Sequence, residues 1–199
     1  VLVDAVQAYG KVPVEVAADY IAISAHKCHG PKGIGALWIG PDTPPPTPLM
    51  LGGGQESGLR SGTLSPALVA GFGAAAQAAQ ESLSEQMFHV EHLWNIGRAA
   101  FAGWTLNGSS VDRWHGNLNI RKDGLDVARL MSDCRQIMFS AASACASGSG
   151  RPSHVLRALG LTDGEAKSSI RLGFGRYTTA QDIETAAAAI LAGAKEQGL

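Results

Sequence analysis

YIAISAHK, residues 20–27, joins an apolar run of strand-forming residues to a short polar segment that ends in a lysine. Two similar apolar runs flank it, VLV at residues 1–3 and GALWI at residues 35–39. Short apolar runs bounded by Gly and Pro are typical of strands in the covered sheet of an α/β protein. Such folds place their ligand sites at the carboxyl ends of the strands. The sequence therefore predicts that Lys27 lies at a ligand-binding edge.

The rest of the chain continues the α/β pattern and favours two domains, at residues 1–85 and 86–199. Residues 41–48 contain five prolines and predict an extended surface connection. The glycine-rich stretch 52–63 lets the backbone approach a ligand or a neighbouring chain closely. Helices are predicted at 66–82 (opened by Ser65 and Pro66), 84–101, 126–134 (capped by Asp126), 153–159 and 179–195, and strands at 117–120, 137–139 and 170–174.

Composition limits the function classes. The 199 residues are 45% hydrophobic and 17% charged with a formal net charge of -1, which gives no reason to expect nucleic acid or an anionic membrane as partner. No apolar run approaches the ~20 residues of a membrane span, and no secretory signal is visible. The three cysteines show no metal-type pairing, so we expect neither a disulfide framework nor a metal site, and a cytoplasmic location. Because the chain opens inside an apolar strand without a Met, we expect it to be part of something longer.

The strand ends carry candidate cofactor ligands. A lysine at such an edge can form an imine with a cofactor aldehyde, and Ser24 and His26 can donate hydrogen bonds to a phosphate. Asp4 and Gln7 follow the first apolar run, where an acid can face a pyridine nitrogen and an amide can face a ring oxygen. A surface lysine and a turn-capping aspartate are the alternatives. The run GPKGIG at residues 30–35 precedes a strand and lacks the Lys-Ser/Thr of a P-loop, so we interpret it as a tight turn.

Two further candidates lie in the second half of the chain. Cys145 is flanked by Ser, Ala and Gly, which predicts an accessible loop of the kind that holds a reactive thiol. Cys134 lies within a predicted helix and is expected to be buried and inert. Arg171 lies on an apolar strand, where its guanidinium needs a partner. A substrate carboxylate or a structural salt bridge would serve equally well.

Together these segments resemble the cysteine desulfurases of the class V aminotransferase group, which are pyridoxal-phosphate (PLP) enzymes of fold type I. The resemblance spans nearly the whole chain and favours the iron–sulfur-assembly branch, because the Ser/Ala/Gly loop around Cys145 is long. The motifs occur in the family's order: DxxQ at 4–7, SxHK at 24–27, GPKGxG at 30–35, GGGQE at 52–56, RSGT at 60–63, SAC at 143–145, PSHVLRALG at 152–160 and SSIR at 168–171.

The resemblance implies the remaining assignments. Residues 1–85 are the C-terminal part of the large, mainly parallel-sheet, PLP-binding domain, with a dimer-contact loop at 52–63. Residues 86–199 are the small α/β C-terminal domain that carries the cysteine loop. The chain lacks the N-terminal part of the large domain, which in the family includes a histidine stacked on the PLP ring.

The residue roles follow from the same resemblance. Lys27 holds PLP as an imine and later moves the substrate α-proton. Asp4 pairs with the pyridine nitrogen, Gln7 contacts the ring oxygen, and Ser24 and His26 bind the phosphate. Thr63 reaches the phosphate of the other subunit of a homodimer, Arg171 holds the carboxylate of L-cysteine, and Cys145 takes the sulfur as a persulfide for an acceptor protein.

Two other functions remain open from the sequence. One is a related PLP lyase such as a selenocysteine lyase. The other is a chain that acts only in dimerisation or partner binding.

Overall fold

The computed structural model describes residues 1–141 and 152–199, and the chain divides into two compact units, Val1–Met87 and Phe88–Leu199. The division falls two residues beyond the predicted boundary. The interpretation of the units as parts of a large and a small domain stays a prediction. Each unit is described by itself.

The first unit is built on a three-stranded sheet whose strands coincide with the three apolar runs. Its order is β1 (Leu2–Asp4), β2 (Tyr20–Ser24) and β3 (Gly35–Ile39). β1 and β2 are parallel, whereas β2 and β3 are antiparallel. A parallel neighbour needs a crossover of a dozen or more residues, and residues 25–34 are too few. This part of the sheet is thus mixed, where the resemblance implied mainly parallel pairing.

A tight turn follows β2 and packs against the long helix of this unit. Ala25–Lys27 form one turn of 3-10 helix, and the helix α1 (Pro66–Glu81) contributes Phe72 to a small core with Ala25 and Cys28. A Cβ at Gly30 would lie 3.0 Å from both the Cβ and the carbonyl oxygen of Ala25. Glycine at position 30 therefore permits the chain to close over the turn, in line with the tight-turn interpretation.

The second unit has an antiparallel sheet and five helices among its described residues. The strands are β4 (Thr105–Leu106), β5 (Asn117–Arg121) and β6 (Ser169–Gly173), in that order. The helices are α2 (Leu83–Ala100), in which the division between the units falls, α3 (Val127–Asp133), α4 (His154–Ala158), α5 (Asp163–Lys167) and α6 (Ala180–Lys195).

Hydrophobic burial holds this unit together. The core lies between one face of the sheet and the helices, and its fully buried members include Leu93, Leu118, Leu130, Ile170 and Ile190. Each such side chain contributes about 1.5–3 kcal/mol of transfer free energy. The predicted Asp126 cap is confirmed, because its carboxylate accepts a hydrogen bond from the Arg129 N–H at 3.0 Å.

The predicted strand at residues 137–139 is wrong. Ile137 and Phe139 pack against the core while Met138 is 89% exposed, so the alternation of a strand is present. The segment nevertheless meets β6 only at the next residue, where Ser140 forms a single bridge with Arg171. The alternating burial of residues 137–139 thus arises from packing against the core, and these residues do not form the hydrogen-bonded ladder of a strand.

Candidate active site

Asp4 and Lys27 belong to the same edge of the first sheet. Asp4 ends β1 and pairs in register with Ala22, two residues before the end of the parallel strand β2. Lys27 is half-buried on the 3-10 turn that follows β2 directly. The Asp4 carboxylate accepts a hydrogen bond from the Val6 N–H at 2.9 Å, which fixes the chain as it leaves the strand. The parallel pairing therefore brings an acid and a lysine to one carboxyl edge, as the sequence predicts.

Ser24 and His26 form a hydrogen-bonded pair beside Lys27. The Ser24 Oγ lies 2.8 Å from the His26 Nδ1. With Nδ1 engaged by the hydroxyl, Nε2 is the ring nitrogen left to face an incoming group. The buried Ala25 anchors the turn between them, since its N–H donates to the carbonyl of Ile34 at 3.1 Å. The two predicted phosphate ligands thus lie together where β2 meets the turn.

Gln7 has a neighbour to which the sequence assigned no role. The half-buried Lys11 donates a hydrogen bond from Nζ to the Gln7 Oε1 at 2.8 Å. Burial lowers the pKa of Lys11, the positive charge of Lys27 lowers it further, and Cys28 acts in the opposite direction. In the sequence, this contact is indicated only by the spacing of four residues between Gln7 and Lys11 and by the position of Lys11 directly after Gly10.

Thr63 is exposed at the end of the glycine-rich loop. The loop is closed by its own polar groups: Ser61 Oγ donates to the Gly53 carbonyl at 2.9 Å, and Gln55 Oε1 accepts from the Gly62 N–H at 3.1 Å. Glu56 has a left-handed backbone with φ of 51°, which costs a non-glycine residue about 1 kcal/mol or more. A loop held in one shape at this cost is suited to presenting Thr63, and the role of Thr63 stays a prediction.

Arg171 lies at the centre of β6 on the face opposite to the core. Its neighbours Ile170 and Leu172 are buried, whereas Arg171 is half-buried and pairs with Asn119 of β5. Because the Arg171 side chain is only half-buried, the free-energy cost of placing its charge on an apolar strand is small. Within residues 1–141 and 152–199, no carboxylate lies within ion-pair distance of its guanidinium. The salt-bridge alternative thus finds no partner in that part of the chain.

The backbone of Arg171 is fixed on its second side by Ser140. The Arg171 N–H donates to the Ser140 carbonyl at 2.8 Å, and the Ser140 N–H donates back at 3.1 Å. Ser140, which precedes Cys145 by five residues in sequence, therefore lies next to Arg171. Cys145 itself lies outside the described residues.

A buried polar network that was not predicted from the sequence holds the start of β6. Asn107 Nδ2 donates to the Ser169 Oγ at 3.0 Å, and Arg121 Nη1 donates to the Asn107 Oδ1 at 3.2 Å. Arg121 also forms an ion pair with Glu165 at 2.8 Å. The network fixes the strand two residues before Arg171.

The two described cysteines are buried free thiols. Burial raises the pKa of the Cys134 thiol, and the nearby charges of Asp133 and Glu196 raise it further. Cys134 is thus poorly suited to act as a thiolate, as predicted. Across residues 1–141 and 152–199, no three His, Cys, Asp or Glu side chains are grouped to hold a metal ion, and no helix there is long and apolar enough to cross a bilayer.

The α/β architecture of the chain is that of the PLP-dependent transferases of fold type I. Within that class, the chain belongs to the class V aminotransferase family, whose profile matches residues 1–185. The family and the fold implied by the sequence are confirmed.

Individual relatives agree with this assignment. The chain is 43% identical over 190 residues to the mitochondrial cysteine desulfurase of Saccharomyces cerevisiae, covering 91% of this chain and 38% of that protein. It is 41% identical over 191 residues to the cysteine desulfurase IscS of Rickettsia bellii, covering 92% and 47%. A solved NifS-like protein superposes with a TM-score of 0.85 at 30% identity, covering 100% of this chain and 52% of that one. The chain thus spans about half, or less, of the length of these relatives.

Proposed function

We propose that this chain is part of a PLP-dependent cysteine desulfurase, which converts L-cysteine to L-alanine and keeps the sulfur as a persulfide. The observation that carries the proposal is the placement of Asp4 and Lys27 at one carboxyl edge of the first sheet. The names of the two curated relatives, both cysteine desulfurases, support it.

The residues of this edge fit PLP by their chemistry. Lys27 offers an amine to the cofactor aldehyde, and Asp4 offers a carboxylate to the pyridine nitrogen. The Ser24–His26 pair and, across a homodimer, Thr63 offer donors to the phosphate, and Gln7 offers an amide to the ring oxygen. When bound, PLP supplies the electron sink that stabilises negative charge at the substrate Cα. Lys27 Nζ then moves the α-proton.

Arg171 and Cys145 supply the substrate side of the reaction. The guanidinium of Arg171, which has no carboxylate partner among the described residues, grips the carboxylate of L-cysteine through paired hydrogen bonds. The Cys145 thiolate attacks the substrate sulfur, a sulfur–sulfur bond forms, and the carbon–sulfur bond breaks. The carbon skeleton gains a proton and leaves as alanine, so that L-cysteine and one thiol give L-alanine and one persulfide. Cys145 follows Ser140 by five residues in sequence, and five residues of chain span at most ~18 Å. Ser140 forms a bridge with Arg171.

The persulfide implies a further partner. We propose an acceptor protein for the sulfur, in an iron–sulfur-assembly or thiolation pathway, and a homodimer that completes the site. The cytoplasmic location stays a prediction, since one relative named above is bacterial and the other is named mitochondrial.

The test uses two substitutions in the full protein, each with a matched control. Lys27→Ala should abolish the visible absorption band of bound PLP, whereas Lys167→Ala, an exposed lysine of α5, should keep it. Cys145→Ala should keep the band and lose persulfide and alanine formation from L-cysteine, whereas Cys134→Ala should retain both. A band that persists in Lys27→Ala, or full turnover in Cys145→Ala, would refute the assignments. Higher turnover of L-selenocysteine than of L-cysteine in the Cys145→Ala protein would favour the related lyase.

A further inference from the structure

Asn119 is the cross-strand neighbour of Arg171 on the face of the second sheet that is opposite to the core. The two residues pair in register between β5 and β6, and both are half-buried. The backbone N–H and carbonyl of Arg171 bond to Ser140, on the other side of β6. Asn119 and Arg171 therefore form a non-hydrogen-bonded pair, the kind in which the Cα atoms lie about 4.5 Å apart and the side chains are closest.

The buried polar network determines which end of the Asn119 amide is already bonded. The Arg121 guanidinium only donates hydrogen bonds, so the Asn107 atom 3.2 Å from its Nη1 is the amide oxygen. The Asn107 nitrogen then donates to the Asn119 Oδ1 at 2.7 Å and to the Ser169 Oγ at 3.0 Å. Ser169 donates its own hydrogen to the Glu165 carbonyl at 2.7 Å, which leaves it an acceptor toward Asn107. The oxygen of Asn119 is therefore the atom that Asn107 holds.

The polar groups that remain at this pair are hydrogen-bond donors. Within residues 1–141 and 152–199, neither the Asn119 amide nitrogen nor the Arg171 guanidinium has a hydrogen-bond acceptor or an ion-pair partner. A carboxylate has about four acceptor positions on its two oxygens, and a bidentate arginine uses two of them. A neighbouring amide N–H can thus bind the same carboxylate without competing with the guanidinium.

We propose that Asn119 is a second ligand of the substrate carboxylate beside Arg171, and that Asn107 is a positioning residue that holds the Asn119 oxygen and leaves its N–H groups to the substrate. This inference rests on the proposed function, because it takes Arg171 as the residue that binds the carboxylate of L-cysteine. The alternative is that Asn119 only completes the buried network. Its loss would then lower stability and would affect ligands with and without a carboxylate alike.

The test uses the full PLP-loaded protein in a Cys145→Ala background, in which L-cysteine can be titrated without turnover. The change in the visible band gives Kd for L-cysteine and for 2-aminoethanethiol, which is the same molecule without its carboxylate. Asn119→Ala should raise Kd for L-cysteine about 10-fold or more, because a hydrogen bond to a charged group is lost. It should leave Kd for 2-aminoethanethiol within about two-fold of the value with Asn119 intact.

The control is Asn117→Ala, because Asn117 is an exposed amide on the same face of β5 and pairs with Gly173 rather than with an arginine. It should change neither Kd. Asn119→Leu fills the volume of the amide without its donors and should give the same selective loss as Asn119→Ala. Urea unfolding of each variant measures separately how much stability the network contributes.

A double variant tests the positioning role. Asn107→Ala should raise Kd for L-cysteine selectively when Asn119 is present, and it should add no further rise in an Asn119→Ala background, because it acts through Asn119. An unchanged Kd for L-cysteine in both Asn119 variants, or an equal rise for 2-aminoethanethiol, would overturn the inference. If L-cysteine does not alter the visible band even with Asn119 intact, the proposed function fails instead, so the two failures are distinguishable.

Discussion

Ser24 and His26 lie 2.8 Å apart across the first turn after β2, with the hydroxyl oxygen facing Nδ1 of the ring. This contact holds the imidazole in one orientation. Ser24→Ala should therefore weaken PLP binding, because a hydrogen bond to a charged group contributes about 1.5–3 kcal/mol. We expect the dissociation constant to rise about 10- to 100-fold, measured by titrating PLP into the cofactor-free protein.

The matched control for Ser24 is another serine of the same unit. Ser82 Oγ donates to the carbonyl of Ala78 at 2.7 Å at the end of α1. Ser82→Ala should leave the dissociation constant unchanged. Equal affinities for the two variants would show that the Ser24–His26 pair does not serve the phosphate.

Arg171→Lys should impair substrate binding and spare cofactor binding. Lysine keeps the charge and loses the planar fork that grips a carboxylate through two bonds. We expect KM for L-cysteine to rise about 10- to 100-fold, with the visible PLP band intact, in steady-state alanine formation. Arg135→Lys is the control, because the exposed Arg135 donates, among the described residues, to the nearby Ser132 carbonyl at 3.0 Å. A KM shift of the same size in both variants would contradict a specific role for Arg171.

The sequence predicted the elements best where local chemistry determines them. The strands β1 to β3 were recognisable because each is a short run of apolar, strand-forming residues, and α3 was recognisable because Asp126 caps it. The α5 helix was missed although Thr162 and Glu165 form a capping box, since five residues carry too little periodicity. Residues 137–139 were mistaken for a strand because alternation reports burial and not pairing.

The residues of the candidate site likewise fall into those that the sequence predicts and those that it does not. Motif order pointed to Lys27, Asp4 and Arg171, because these side chains follow or occupy recognisable strands. Lys11 and the network from Asn107 to Ser169 were not predictable, since each depends on contacts that only the fold creates.

Acid should destabilise the start of α6 through Asp182. Its carboxylate accepts hydrogen bonds from the N–H and the hydroxyl of Thr179, both at 2.8 Å, and these bonds lower the pKa of Asp182, the backbone bond most. A depressed folded pKa means that the stabilisation is present above the ordinary value of about 3.9 and is lost as the pH falls through the folded value. We expect the stability difference between wild type and Asp182→Asn to be constant above pH of about 5 and to shrink below it.

This dependence can be measured by urea unfolding followed by circular dichroism across that acidic range. Asparagine mimics the protonated acid, so the comparison isolates the charge. Asp112→Asn, at an exposed position of the same unit, is the control for the removal of a surface carboxylate. A difference for Asp182→Asn that stays constant down to the lowest pH would refute the assignment of the charge to the cap.

Gly193→Ala should destabilise the second unit, although alanine is the better helix former. A Cβ at Gly193 would lie 2.7 Å from Leu130 Cδ1 and 3.3 Å from Cys134 Sγ, so the Leu130 side chain would have to shift within a core in which it is fully buried. Overpacking of this kind costs about 1–3 kcal/mol, which exceeds the gain of about 0.5–1 kcal/mol from replacing a helical glycine. Gly164→Ala in α5 meets nothing within 4 Å and should show the gain alone.

Denaturant unfolding of Gly193→Ala, Leu130→Ala and the double variant provides the decisive cycle. The double variant should be less destabilised than the sum of the two, because the added methyl group enters the space left by Leu130, whereas strict additivity would place the strain elsewhere.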